Sequence, residues 1–294
     1  MIVRDKPGAK ELLFAVRGSV LPQIIGHLAV VIGLSAALVV IHRHLLPLPQ
    51  VNATPFALFG VALSLFLGFR NNAAYDRWWE ARKLWGGVLA DARSLAREAE
   101  MFLPDPSDRH ILLRGMRGFV HLHRCALRGL APDAAACRDL PPGVAATPDA
   151  LLDALNSGLA TAHRAGRLDG FGARALSARL GSVALAQAGC ERIRATPLPY
   201  VYSLLVYRTT WLYCLLLPLA LLGPAGWLTP VFAGIVGYTF FGLAEVTEDL
   251  AHPFGQSGNA LPLDAICRAV EISLAPHLGE PAPQPLIPVG FRLE

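Results

Sequence analysis

Residues 19–41 form an apolar run that contains no Asp, Glu, Lys or Arg. A helix of about 20 apolar residues is long enough to cross the hydrocarbon core of a bilayer. The rest of the chain agrees with a membrane location, because 53% of its 294 residues are hydrophobic and only 16% are charged, against about 25% in soluble domains. No long alternating pattern indicates β-strands. The sequence therefore predicts an all-α membrane protein.

Three further apolar segments cover residues 55–69, 209–222 and 227–243. The last two are separated only by Gly, Pro, Ala and Gly, which predicts a tight membrane hairpin. The segment at 55–69 is short for a span, so a buried core helix is its alternative. With residues 19–41, these segments predict four membrane helices.

Positive charges flank the predicted spans on one side. Lys and Arg precede the first span and follow the second, whereas the hairpin turn has none; Arg43 is an exception between the first two spans. By the positive-inside rule, both termini and the middle region are predicted to be cytoplasmic. The long mixed-charge start does not resemble a removable signal peptide.

The chain divides into four predicted parts. Residues 1–75 hold the N-terminal segment and two membrane helices, 76–199 a helical cytosolic region, 200–244 the hairpin, and 245–294 a cytosolic C-terminal segment. Within the middle region, Thr147 before Pro148 predicts a helix start. That helix is predicted to end near residue 165, another to cover about 172–195, and residues 129–146 to be a surface connection.

The stretch FGVALSLFLGFRNNAAYDRWWEAR passes from apolar to polar without a helix breaker. Val61, Leu65 and Phe69 lie four residues apart, so they share one helix face. Asp76 and Glu80 continue that face. In several copies around an axis, these residues would form an apolar constriction that opens into a polar vestibule, as in hydrophobic channel gates. Ordinary core packing is the alternative explanation of the same spacing.

Three motif-bearing segments resemble the bestrophin family of ion channels, in particular its bacterial branch. They are FLGFRNNAAYDRWWEARKLWG, CERIRATPLPYVYSLLVYRT and GLAEVTEDLAHPFGQSGNALPLDAICRAVE. The resemblance implies a homopentamer in the bacterial inner membrane, with one central pore for permeant ions. It implies a pore neck at Val61, Leu65 and Phe69. It also implies a cytosolic aperture on the helix near residues 176–183, with these candidates: Leu176, Arg179 and Leu180.

Asp76 and Glu80 predict selectivity for monovalent cations such as sodium. Arg70 or Arg179, if either faced the pore, would favour chloride or other anions, as in animal bestrophins. A secondary transporter is less well supported because the two halves of the chain do not repeat. We expect no enzyme activity, since HExxH, GxSxG and Gly-rich phosphate loops are absent from the sequence. A non-conducting scaffold is also compatible with the sequence.

We predict no cofactor, metal or nucleic-acid partner. The basic residues are scattered rather than gathered in a stripe. Animal bestrophins follow PFG with an acidic run that helps to hold calcium, but here Gln, Ser, Gly, Asn and Ala follow residue 255. Glu245, Glu248 and Asp249 are expected to be solvated or paired with arginine, preferably Arg77 or Arg208, and metal binding is their alternative role.

Overall fold

The computed structural model describes residues 1–3, 8–16, 18–49 and 51–293. This part of the chain is all-helical, as predicted, and its β contacts are isolated bridges that join Arg292 to Ile2 and Val289. The α-helices are α1 (Ala9–Phe14), α2 (Leu21–Val40), α3 (Ala53–Phe102), α4 (Pro106–Arg128), α5 (Ala134–Cys137), α6 (Pro148–Arg164), α7 (Gly170–Ala195), α8 (Tyr200–Ala225), α9 (Thr229–Ala251) and α10 (Leu263–Leu274).

The helices divide into two compact units. The membrane unit consists of the described parts of residues 5–78 and 197–252, and the extramembrane unit of those of residues 1–4, 79–196 and 253–294. Three stretches of the described chain are long and apolar enough to cross a membrane: Leu21–Leu45, Ala53–Phe102 and Tyr200–Ala251. The third contains α8 and α9, which a 3-10 turn at Gly226–Leu228 joins.

Apolar side chains hold α2, α8 and α9 together in the membrane unit. Ile24 and Val31 of α2 pack in one buried cluster with Cys214 of α8 and Phe241 of α9. Residues three, four and seven apart share a helix face, so α2 presents one stripe to these neighbours. Its opposite side is exposed, as expected for a helix that meets lipid.

The first half of α3 packs against α8 and α9 through Leu63 and Leu67. Gly60 permits a close approach there, because a Cβ atom at this position would lie 2.6 Å from the Tyr213 hydroxyl oxygen. A real Cβ atom does not tolerate that distance, so a side chain at this position would have to displace the Tyr213 ring.

Helices α4, α6, α7 and α10 form the core of the extramembrane unit, with α4 packed against the other three. The helix starts follow simple capping chemistry: the Thr147 hydroxyl accepts a hydrogen bond from the Ala150 amide at 3.3 Å, which confirms the predicted start of α6. Residues 129–146 are predicted to be a surface connection. The structure shows that they contain α5, which Asp133 caps, and that Ala136 is buried.

Candidate functional site

The predicted neck residues lie on the uncovered face of α3. Val61, Leu65 and Phe69 are 62%, 57% and 69% exposed, although all three are apolar. Leu63 and Leu67 point to the opposite side and are buried. The structure therefore separates a packing face from an exposed apolar stripe on one helix, and ordinary core packing within the subunit does not explain the stripe.

A polar surface continues the stripe toward the C-terminal half of α3. Asn72 and Asp76 are both exposed. No cationic side chain of the described residues pairs with the Asp76 carboxylate. Glu80 differs, because Nη2 of Arg192 lies 2.5 Å from its Oε1 atom. Of the two predicted vestibule carboxylates, Asp76 thus keeps an uncompensated charge, whereas the charge of Glu80 is shared with an arginine.

Arg70 follows Phe69 directly but turns into the membrane unit. Its side chain is 7% exposed, and its Nη2 atom donates to Oε2 of Glu248 at 2.6 Å and to the Ser203 hydroxyl at 2.8 Å. A buried, paired guanidinium is not available to attract anions. Arg70 is therefore an ion-pair partner of Glu248 that the sequence did not predict. Nε of Arg77 donates to the backbone oxygen of Ala251.

The predicted aperture residues on α7 do not share one environment. Leu176 is fully buried and Leu180 is 5% exposed, so both pack inside their own subunit. Such side chains present no surface to solvent within the subunit. The exposed large apolar side chains of α7 are Phe171, at 83%, and Leu185, at 76%.

Arg179 bridges two carboxylates of α3. Its Nη1 atom donates to Asp91 at 3.0 Å and its Nη2 atom to Glu98 at 2.6 Å. Both hydrogen bonds raise the pKa of the Arg179 guanidinium above its ordinary value. The hydroxyl of Ser182 also donates to Asp91 at 2.7 Å. Arg179 therefore fixes α7 against α3, and its charge is neutralised rather than presented to ions.

The helical periodicity of the sequence agrees with the burial of Leu176 and Leu180. Leu176, Leu180 and Val183 recur at steps of four and three, and the same steps lead to Gln187 and Cys190, all of which are buried. That pattern is typical of a core-facing stripe. Exposure of Phe171 has no such signal, because it lies in the first turn of α7, before the stripe begins.

The acidic group of α9 shows no metal geometry. Glu248 is paired with Arg70, and the His252 ring lies 3.7 Å from its other carboxylate oxygen. Within the described ranges, no group of three or more His, Cys, Asp or Glu side chains is placed to hold a metal ion. The structure thus favours ion pairing over metal ligation for Glu248.

Fold and site together define an all-helical membrane protein with an exposed apolar helix face. The family model "Bacterial/Fungal Bestrophin protein" matches residues 1–276. Sequence relatives include the "Voltage-dependent anion channel-forming protein" mll4386 of Mesorhizobium japonicum, which is 44% identical over 97% of this chain and 95% of its own length. YneE of Escherichia coli, which carries the same descriptive name, is 38% identical over 93% of both chains.

Solved structures agree with these sequence relatives. A crystal structure of a bacterial bestrophin homolog from Klebsiella pneumoniae superposes with a TM-score of 0.82 at 32% identity, covering 87% of this chain and 99% of that one. The chain belongs to the bacterial and fungal bestrophin family, which confirms the resemblance. Membership places it among membrane ion channels rather than enzymes.

Proposed function

We propose that the protein is a passive ion channel whose narrowest membrane section is built from Val61, Leu65 and Phe69. The observation that supports it is the exposure of these apolar side chains on the α3 face opposite the packing face. In a homopentamer with four membrane helices per subunit, this face would surround a central pore. Rings of such side chains would control conduction through wetting of the neck.

We further propose that the channel prefers monovalent cations such as sodium. Asp76 continues the stripe with an exposed carboxylate that no described cation neutralises, whereas Arg70 and Arg179 are held in ion pairs. A ring of carboxylates favours cations at a channel entrance. Glu80 contributes less, because Arg192 shares its charge.

Anion conduction is the second candidate. The Mesorhizobium and Escherichia coli relatives are named for anion channel formation. Phe171 and Leu185 of α7 are proposed as aperture candidates under either selectivity. The arrangement also fits a bacterial inner membrane protein with cytoplasmic termini, because most Lys and Arg near the spans lie on that predicted side.

The reversal potential of the purified protein in planar bilayers under a sodium chloride gradient tests the proposal. We expect a potential close to that of sodium in the unchanged protein. Asp76→Asn is expected to shift this potential toward that of chloride. Glu80→Gln is the matched control, with a smaller shift because its carboxylate is already paired.

A potential close to that of chloride in the unchanged protein would assign anion conduction. A sodium potential that Asp76→Asn leaves unmoved would remove Asp76 from the ion path. If reconstituted protein that is pentameric in detergent carried no current, the channel proposal would fail in favour of a transporter or a scaffold.

A further inference from the structure

The extramembrane unit contains a polar cavity that the proposed pore does not use. It has a volume of about 120 Å³ and lies where the loop after α9 meets the end of α4 and the C-terminal segment. Two arginines, Arg128 and Arg292, line it together with Gly255, Gln256 and Ser257. None of the described lining residues carries a carboxylate. The cavity therefore has two guanidinium groups in its lining.

Arg128 has more hydrogen-bonding capacity than its partners use. Its side chain is 12% exposed, and its Nη1 atom donates to Oδ2 of Asp264 at 2.5 Å. The same carboxylate also accepts from Arg124, so it is divided between two guanidinium groups. Nε of Arg128 is buried and has no hydrogen-bond partner among the described residues. A buried donor left unpaired lowers stability, and such groups require an explanation.

The loop supplies further donors. The backbone amides of Gly255, Gln256 and Ser257 donate to no other described residue. The Ser257 hydroxyl oxygen is buried and has no described partner either. Successive free amides in an irregular loop form concave anion sites in many proteins. Thus the loop that lines the cavity, like Arg128, contains hydrogen-bond donors without a described acceptor.

Arg292 holds a second guanidinium group at this loop. Its Nη2 atom donates to the backbone oxygen of Gln256 at 2.8 Å. The backbone around Arg292 is itself fixed by bridges to Ile2 and Val289. Both arginines are therefore positioned by protein contacts before any ligand arrives, which lowers the entropic cost of binding.

We propose that this cavity binds an oxyanion of the phosphate class. The volume exceeds the roughly 30 Å³ that one water molecule occupies in the liquid several-fold, which leaves room for a tetrahedral anion. Planar guanidinium groups match phosphate oxygens in pairs, and backbone amides complete such sites. The shared chemistry admits free phosphate or the phosphate of a lipid headgroup. This site is independent of the proposed ion conduction.

Titration calorimetry with sodium phosphate tests the site, on the full-length protein in detergent at constant pH and ionic strength with chloride as the balancing anion. We expect saturable binding that Arg292→Gln weakens about tenfold or more. Arg128→Lys is the second variant, because it keeps a charge for Asp264 while it loses the planar donors. Arg174→Gln, at an exposed position of α7, is the matched control and is expected to bind as the unchanged protein does.

The melting temperature in lipid nanodiscs separates the two sources of the anion. Stabilisation by phosphatidic acid over phosphatidylcholine that disappears in Arg292→Gln would assign a lipid phosphate, even without calorimetric binding of free phosphate. Binding of free phosphate with no lipid effect would assign the soluble anion. Equal binding by the unchanged protein and Arg292→Gln, or no response to phosphate in either experiment, would overturn the proposal.

Discussion

The two units of the molecule differ in how they accommodate their apolar and charged side chains. The membrane unit leaves large apolar side chains uncovered along α3, including Leu65 at 57% exposure, and its buried Arg70 pairs with the half-exposed Glu248. The extramembrane unit instead buries several arginines, and these pair with carboxylates of the same unit. The membrane unit therefore depends on contacts outside the subunit, whereas the extramembrane unit is satisfied largely from within.

Ion pairs that join α4 to later segments show this internal satisfaction. Arg117 binds Asp139 through two hydrogen bonds of 2.7 and 3.0 Å and Glu280 through one of 2.5 Å. Glu271 of α10 accepts hydrogen bonds from His121 and Arg138 and forms an ion pair with Arg268. The hydrogen bond from His121 is the main reason why the pKa of Glu271 lies below its ordinary value.

The largest expected effect is on the stability of the extramembrane unit. Arg117→Met leaves the Asp139 carboxylate, which is 7% exposed, without its main counter-ion. Loss of one partner of a buried pair costs about 3–5 kcal/mol. Thermal unfolding in detergent, followed by circular dichroism, measures this loss. Arg174→Met on α7 is the exposed control; an equal change in both variants would contradict the role of the buried pair.

The next largest effect is expected in the pH dependence of stability of the extramembrane unit. His123 is fully buried between the rings of Trp85 and Phe119, and this burial lowers its pKa from 6.5 to about 4. Between these pH values the unfolded chain binds a proton that the folded chain does not bind. Stability therefore falls as the pH falls from 6.5 to 4, by about 3 kcal/mol in total.

His123→Phe is expected to flatten this pH dependence, because a phenyl ring carries no group that titrates. The melting temperature between pH 7 and pH 4 measures the slope in both proteins. Parallel curves would show that other groups, rather than His123, cause the acid sensitivity. Carboxylates with lowered pKa, such as Glu271, begin to lose their contribution only below the ordinary pKa of 4.5.

Substitutions on the exposed face of the membrane unit are expected to change ion conduction rather than the free energy of unfolding. Leu65→Ser introduces a hydroxyl into the proposed neck, eases its wetting and is expected to raise the single-channel current several-fold. Phe66→Ser is the matched control, since Phe66 is 56% exposed but lies on the flank of the stripe. Single-channel recordings that gave the two variants equal currents would remove Leu65 from the neck.

The smallest effect is expected at a helix cap. Thr147→Ala removes the hydroxyl that accepts from the Ala150 amide, which costs about 1 kcal/mol. Thermal unfolding of Thr147→Ser is expected to restore the unchanged value, because serine keeps the acceptor. If alanine and serine lowered the melting temperature equally, the hydroxyl would not be responsible.

Local patterns predicted much of the fold. Cap chemistry at Thr147 and Pro148 located the start of α6, and the stop signals Gly166 and Pro197 located the ends of α6 and α7 within about two residues. The short helix α5 was missed because four residues carry too little periodicity to register. The exposed apolar stripe of α3 was visible because its members repeat every four residues.

Partners between distant helices could not be predicted in the same way. The pair of Arg70 with Glu248 and the arginine-lined cavity near Ser257 depend on how separate segments pack, which no local spacing encodes. The aperture residues Leu176 and Leu180 were selected by family register on a helix without a distinctive motif. Both are buried, in agreement with the helical periodicity of that segment.

Gly60 lies one residue before Val61 and faces Tyr213. A side chain at this position would meet the Tyr213 hydroxyl, so either the tyrosine ring or the spacing between α3 and α8 would have to change. In the proposed pentamer such a change is repeated in all five subunits around the opening. The packing behind the proposed pore wall thus depends on a residue that is not part of the exposed stripe.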